Sequence, residues 1–140
     1  ETDGLLDSLD SLGMGSIAFT PLAQGLLTNK YLNGIPSDSR AMQEKSLDRG
    51  RIADALVEAL RGLNAIAEAR GQTLAQMALA WVLREGRVTS ALIGASKPEQ
   101  VVDCAGAIQN LEFSEDELRR INAYATDRDL NLWAASSELA

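Results

Sequence analysis

Apolar residues follow two different spacings along this chain. Leu5, Leu6, Leu9 and Leu12 recur at three- and four-residue steps, which predicts a helix over residues 3–12 that Gly13 ends. Ile17, Ala18 and Phe19 show no polar alternation, which predicts a strand over residues 16–20 buried on both faces. Pro21 ends that strand, because it has no N–H to donate to a ladder. A short helical stretch is expected between Leu22 and Tyr31.

The helical period returns at Ile52, with Leu56, Leu60, Leu63 and Ala67 on one stripe and Gly71 closing the last turn. Thr73 and Gln76 form a capping box that opens a second helix, to about residue 85, which buries Leu74, Met77, Ala78, Trp81 and Val82. Residues 88–93 are β-branched and apolar enough for a second buried strand. Ser96 reads as the cap of a helix carrying Pro98 in its first turn and Glu99 at its third position, with Val101, Ala105 and Ile108 as its core stripe. Ser114 and Glu117 make another capping box, flanked by Phe113 and Leu118 at staple positions, for a helix over about residues 115–125.

Residues 32–50 break the pattern, with Asn33, Gly34, Pro36 and Ser37 favouring turns and no steady period after Ala41. A loop this long in a compact domain is either functional or disordered. It reads equally as a lid over a ligand or as a solvated loop.

Composition narrows the functions. The chain has 140 residues, 46% of them apolar, enough for one domain with a core. A net charge of −7 argues against general affinity for nucleic acid or anionic membrane, though local cations can still hold one anionic cofactor. No apolar run approaches bilayer length and the start carries no signal-peptide pattern, so a cytoplasmic protein is expected. Glu1 in place of an initiator Met leads us to expect a processed or cut N-terminus. The single cysteine, Cys104, excludes an internal disulfide framework, and the absence of histidine excludes His-based triads and His–metal sites.

Two stretches could carry chemistry. The strand at 16–20 delivers residues 20–25 to the carboxyl edge of a sheet, where α/β proteins place ligands, and Gly25 permits close backbone approach. An ordinary strand-to-helix connection explains the spacing equally well. Ser96 and Lys97 stand at a predicted helix N-terminus, where free N–H groups favour an anion and Lys97 adds a mobile charge. The plainer alternative is a capping serine beside a solvated lysine.

Taken together, Thr20-Pro21-Leu22-Ala23-Gln24-Gly25-Leu26-Leu27-Thr28-Asn29-Lys30-Tyr31 resembles the S-P-L-A-x-G-x-L-S/T-G-K-Y segment of the aldo-keto reductases. The likeness is nearest the branch that holds the glyceraldehyde-3-phosphate reductase-like enzymes and the potassium-channel β subunits. Leu92-Ile93-Gly94-Ala95-Ser96-Lys97-Pro98-Glu99-Gln100 resembles the exit of that family's eighth strand, and the likeness extends to residues 130–137. The resemblance implies an α/β fold: the C-terminal fragment of a (β/α)8 TIM barrel, its last two strands with their helices. A complete barrel takes about 250 residues. Residues 1–140 are therefore expected to form a single, helix-rich partial domain.

The same resemblance implies an NADPH site. Thr20, Pro21, Leu22, Ala23, Gln24 and Gly25 would wrap the pyrophosphate and nicotinamide ribose, with Lys30 as a second phosphate ligand. Arg40 would act as a clamp in the lid, and Gly94, Ser96 and Lys97 would hold the 2′-phosphate, favouring NADP over NAD. Gln100 and Asp103 would approach the adenosine end. The family commonly has Gln, Glu and Asn at positions 100, 103 and 104, so Asp103 shortens the acid and Cys104 removes an amide. Cys104 itself reads better as a small buried hydrophobe. No catalytic residue is assigned, because the family's catalytic Tyr, Asp, Lys and His lie in earlier strands, and Tyr31 is not that tyrosine. No metal site is assigned either.

Two functions follow. One is the NADPH-binding portion of an oxidoreductase that reduces aldehydes or ketones, inactive as an isolated chain. The other is a non-catalytic nucleotide-binding or protein-interaction module derived from such an enzyme. Two strands with missing neighbours would leave open edges, so a homo-oligomer paired through strand edges or helix faces is expected.

Overall fold

The computed structural model describes residues 3–33 and 54–126. Elements run in the order α1 (Leu5–Ser11), β1 (Ile17–Phe19), α2 (Asp54–Ala69), α3 (Leu74–Leu83), β2 (Ser90–Leu92), α4 (Pro98–Ala105) and α5 (Glu115–Tyr124). The two strands pair in parallel, with Ile17 opposite Ser90, Ala18 opposite Ala91 and Phe19 opposite Leu92. A parallel pair needs a crossover connection, which α2 and α3 supply.

Helix ends follow the local chemistry read from the sequence. Gly71 has φ +68, and the Gln72 and Gly71 N–H groups donate to the Ala67 and Glu68 carbonyls at 2.9 and 3.0 Å. Those bonds make a Schellman motif that satisfies carbonyls α2 would otherwise leave bare. Gly13 closes α1 by the same device, with Met14 N–H reaching Leu9 O and Gly13 N–H reaching Asp10 O. Both predicted capping boxes are present, at Thr73 with Gln76 and at Ser114 with Glu117. The stretch after Pro21 contains two single 3₁₀ turns, Ala23–Gly25 and Asn29–Tyr31.

The core lies between helices. Leu60, Leu63, Ile66 and Ala67 of α2 meet Leu74 and Met77 of α3, Ile121 of α5, and Leu26 and Tyr31 from the turns after β1. Burial of each large aliphatic here contributes about 1.5–3 kcal/mol. α3 also packs on β2, so it joins the helical core to the sheet.

Several expectations need correction. The strands are not buried on both faces: Ala18 and Ala91 are half-buried, while Ile17 is 70% exposed, Phe19 63% and Leu92 61%. An apolar run without alternation signals two covered faces, and in this chain only the face shared by the alanines is covered. The strands are also shorter than expected, three residues each.

On α4 the predicted stripe of Val101, Ala105 and Ile108 is exposed, and the residue that enters the core is Ala107 in the following 3₁₀ turn. α4 turns Asp103, not its valines, toward α3, because polar partners there hold the acid. Nor does Ser96 cap α4. The cap position is Lys97, and the side-chain carbonyl of Gln100 reaches back to the N–H groups of Lys97 and Ser96. Cys104 is half-buried rather than fully enclosed. Ile52, Arg40, most of the 32–50 loop and the 130–137 stretch lie outside the described residues.

Candidate functional site

Register decides what meets at the carboxyl edge of the sheet. Because Phe19 lies opposite Leu92, the chain leaves both strands at the same level, and residues 20–25 and 93–100 emerge side by side. The two stretches singled out in the sequence are thereby brought to one edge, which is where ligands bind in parallel α/β architectures.

The first stretch is a strained turn. Thr20, Ala23 and Gln24 have φ of 54°, 48° and 58°, followed by Gly25 at 94°. Each non-glycine residue there costs about 1–2 kcal/mol, and a β-branched threonine in that region is an outlier. Hydrogen bonds hold the turn, from Ala23 N–H to Thr20 O, Gly25 N–H to Leu22 O and Leu27 N–H to Leu22 O. Two anchors pin it to the helices: Leu26 and Tyr31 are buried, and Arg61 Nε donates to Leu32 O at 3.0 Å. The Thr28 hydroxyl donates to Gly25 O at 2.7 Å and receives the Lys30 N–H at 3.3 Å, which sets the Lys30 turn on the surface. Gln24 Oε1 is buried and accepts no hydrogen bond among the described residues. Strain held by surrounding anchors, with an orphaned acceptor beside it, is the pattern of a loop built for a ligand.

The second stretch is a cradle of donors. Ser96 N–H, Lys97 N–H and the Ser96 hydroxyl converge on one oxygen, Gln100 Oε1, at 2.8, 3.2 and 3.3 Å. All three residues are exposed, Gly94 precedes them with open space where a Cβ would stand, and Pro98 contributes no competing N–H. Three donors aimed at one point can receive an anionic oxygen in place of the amide oxygen, helped by the positive end of α4. Glu99, in the first turn of α4, is the opposing charge nearby in sequence.

Asp103 points elsewhere. Its carboxylate accepts from the Thr73 hydroxyl and from Gln76 Nε2 on α3. Next to it the Cys104 thiol is pushed above its usual pKa, first by burial and then by the Asp103 charge, so it is a poor nucleophile.

Sequence reasoning missed Phe19. It ends β1 63% exposed at this same edge, directly before the strained turn. Its position as the last strand residue before Thr20-Pro21 was the available signal. Among the described residues no group of His, Cys, Asp and Glu could hold a metal ion, and no helix is long and apolar enough to cross a membrane.

Comparison with known proteins gives the family and the fold. L-glyceraldehyde 3-phosphate reductase from Escherichia coli O157:H7 and its counterpart from strain K12 are each 54% identical over 142 residues, a match that takes in 99% of this chain. The chain spans 41% of the length of those relatives. The solved structure of a glycerol dehydrogenase from Gluconobacter oxydans superposes with a TM-score of 0.67 at 24% identity, covering 87% of this chain and 37% of that one. The two parallel strands and their helices are thus part of a (β/α)8 barrel, as expected. Residues 1–126 match the Aldo/keto reductase family over nearly the whole described length, and the chain belongs to that family of oxidoreductases.

Proposed function

We propose that this chain carries the NADPH end of an aldo/keto reductase that reduces aldehydes or ketones. The observation that carries the reading is the shared edge: the parallel register brings the strained 20–25 turn and the Ser96–Lys97 donors out side by side. When bound, the nicotinamide supplies hydride. The residues of this chain bind and orient the nucleotide.

Thr20, Pro21, Leu22, Ala23, Gln24 and Gly25 form the wall along the pyrophosphate and ribose. The Phe19 ring offers an aromatic surface at the mouth of the same turn. Lys30 contributes a surface cation. Gly94, Ser96 and Lys97 receive the 2′-phosphate once Gln100 yields its place among the donors, and Gln100 then moves to the adenosine side. Arg40 is assigned to the same nucleotide as a clamp. The proton donor that carbonyl reduction requires has no candidate among these residues, so the isolated chain binds nucleotide without turnover.

Calorimetric titration tests the reading. The chain should bind NADPH more tightly than NADH, and Lys97→Glu should erase the preference by setting a like charge against the 2′-phosphate. Equal affinity for both nucleotides, or no binding of either at millimolar concentration, would refute it.

A further inference from the structure

The capping box of α3 has more donors than it needs. Gln76 N–H donates to Thr73 Oγ1 at 3.1 Å and Thr73 N–H donates to Gln76 Oε1 at 3.0 Å, which completes the reciprocal pair. The remaining donors are the Thr73 hydroxyl and the Gln76 side-chain amide, and both are aimed at Asp103 of α4. Thr73 Oγ1 stands 3.3 and 3.2 Å from the two carboxylate oxygens. Gln76 Nε2 lies 3.0 Å from Oδ1 and 2.9 Å from the Asp103 backbone oxygen.

Electrostatics favours the same arrangement. Asp103 lies in the last turn of α4, where a negative charge opposes its own helix dipole. The positive end of α3, capped by Thr73, compensates. Gly106 makes the approach possible, because a Cβ there would stand 2.5 Å from Gln76 Nε2. Thr73 and Gln76 of the α3 capping box thus meet Asp103 of α4 in one polar contact, with Gly106 of the following turn leaving room for it, while Val101 and Val102 of α4 remain exposed.

We propose that Asp103 is a positioning residue, whose carboxylate latches α4 to the α3 capping box and so sets the place of the Ser96–Gln100 turn at the other end of the helix. The turn lies three to seven residues before Asp103, about 5–10 Å along a helix. A helix of this length is stiff, so loosening its C-terminal half displaces its N-terminal donors. Asp103 then acts on the nucleotide through α4 and not by touching adenosine. In its role for the nucleotide, this inference rests on the reading under Proposed function.

Three variants of the full chain test it: Asp103→Ala, Gln76→Leu on the opposite helix, and Gly106→Ala, which forces Gln76 out of the contact. Each is compared with Asp103→Asn, which keeps an acceptor of the same shape. Two quantities are read. One is amide hydrogen exchange at Lys97 and Gln100 without nucleotide, and the other is the affinity for NADPH and for NADH. We expect all three variants to speed exchange and to weaken NADPH binding on the order of tenfold, with NADH affected much less and Asp103→Asn close to the parent.

Wild-type exchange rates in folded Gln76→Leu and Gly106→Ala would overturn the latch. Equal losses of NADPH and NADH in Asp103→Ala, with none in the α3 variant, would instead mark a direct adenosine contact and also overturn it. If the parent chain binds no NADPH, the cofactor assignment falls, and hydrogen exchange alone decides the latch.

Discussion

Arg70 and Glu117 meet with Nη1 2.9 Å from Oε1, although 47 residues separate them in the chain and the arginine side chain is only 3% exposed. The other donors of Arg70 are also engaged. Nε reaches Gln72 Oε1 at 2.8 Å, Nη2 reaches the carbonyls of Asn110 and Glu112, and the guanidinium lies 3.7 Å above the Phe113 ring. Arg70 follows the last residue of α2, and its partners surround the start of α5, so one side chain ties the two helices and the loop before α5 together. A planar fork of five donors suits this task, and a lysine would satisfy only part of it.

Arg70→Met is therefore expected to cost about 1–3 kcal/mol, because it removes a nearly buried guanidinium together with its bonds to Gln72, Glu117 and the Asn110 and Glu112 carbonyls. Urea denaturation would measure the loss. Adding Glu117→Gln to Arg70→Met should cost less than the sum of the separate changes, since both remove the same contact. Strict additivity would show that the pair is not coupled.

The same contact sets a pH dependence. Burial works to raise the Glu117 pKa, but hydrogen bonds from the Ser114 N–H and hydroxyl, together with Arg70, outweigh it and hold the carboxyl below its usual range. A folded pKa below the unfolded value of about 4.3 means full stabilisation above that value, lost as pH falls through the folded pKa. Stability should stay flat near neutrality with respect to this group and fall below about pH 4. Glu117→Gln should lessen that acid-side decline, as chemical denaturation across pH 3 to 7 would report. An unchanged slope would remove Glu117 from the account.

Strain in the 20–25 turn makes a prediction of the opposite sign. Ala23 has φ 48°, and the only group a glycine would remove is its half-buried methyl, packed against the helical core. Ala23→Gly relieves about 1–2 kcal/mol of left-handed strain and returns part of it as unfolded-chain entropy. The net gain should be about 0.5–1 kcal/mol in urea denaturation. A loss of stability would mean that the left-handed geometry is not strained here.

Which of these features could be read from the sequence depends on how local their causes are. Capping boxes at Thr73 and Ser114 and the stops at Gly13 and Gly71 need only a few neighbouring residues, and all were legible. The shared edge was legible through two long motifs. Arg70 was not, because its partners at 110, 112 and 117 lie 40 or more residues away. The stripe of α4 misled because the periodicity of Val101, Ala105 and Ile108 tells that a face is apolar, not that this chain covers it. Ser96 misled for a related reason: a serine before Pro98 looks like a cap, yet Gln100, three residues beyond Lys97, supplies the acceptor. Phe19 was read only as strand core, because nothing local distinguishes a buried aromatic from one at an open edge.

Those open faces lead to the last prediction. Ile17 at 70% exposure, Phe19 at 63% and Leu92 at 61% share one side of a two-stranded sheet. Each strand pairs only with the other, so each keeps one edge whose backbone groups have no ladder among the described residues. Val102 on α4 and Ile108 in the turn after it add further exposed apolar surface. An isolated pair of strands is marginal in water unless its apolar face is covered. We therefore expect the 140-residue chain, purified on its own, to self-associate through this sheet, with its mean mass rising with concentration in light scattering. Ile17→Lys should shift it toward monomer, since it sets a charge on the apolar face. Lys97→Glu, on the α4 turn, should leave association unchanged. A monomer across the micromolar range, with the same far-UV signal for parent and Ile17→Lys, would rule this surface out as a self-association site.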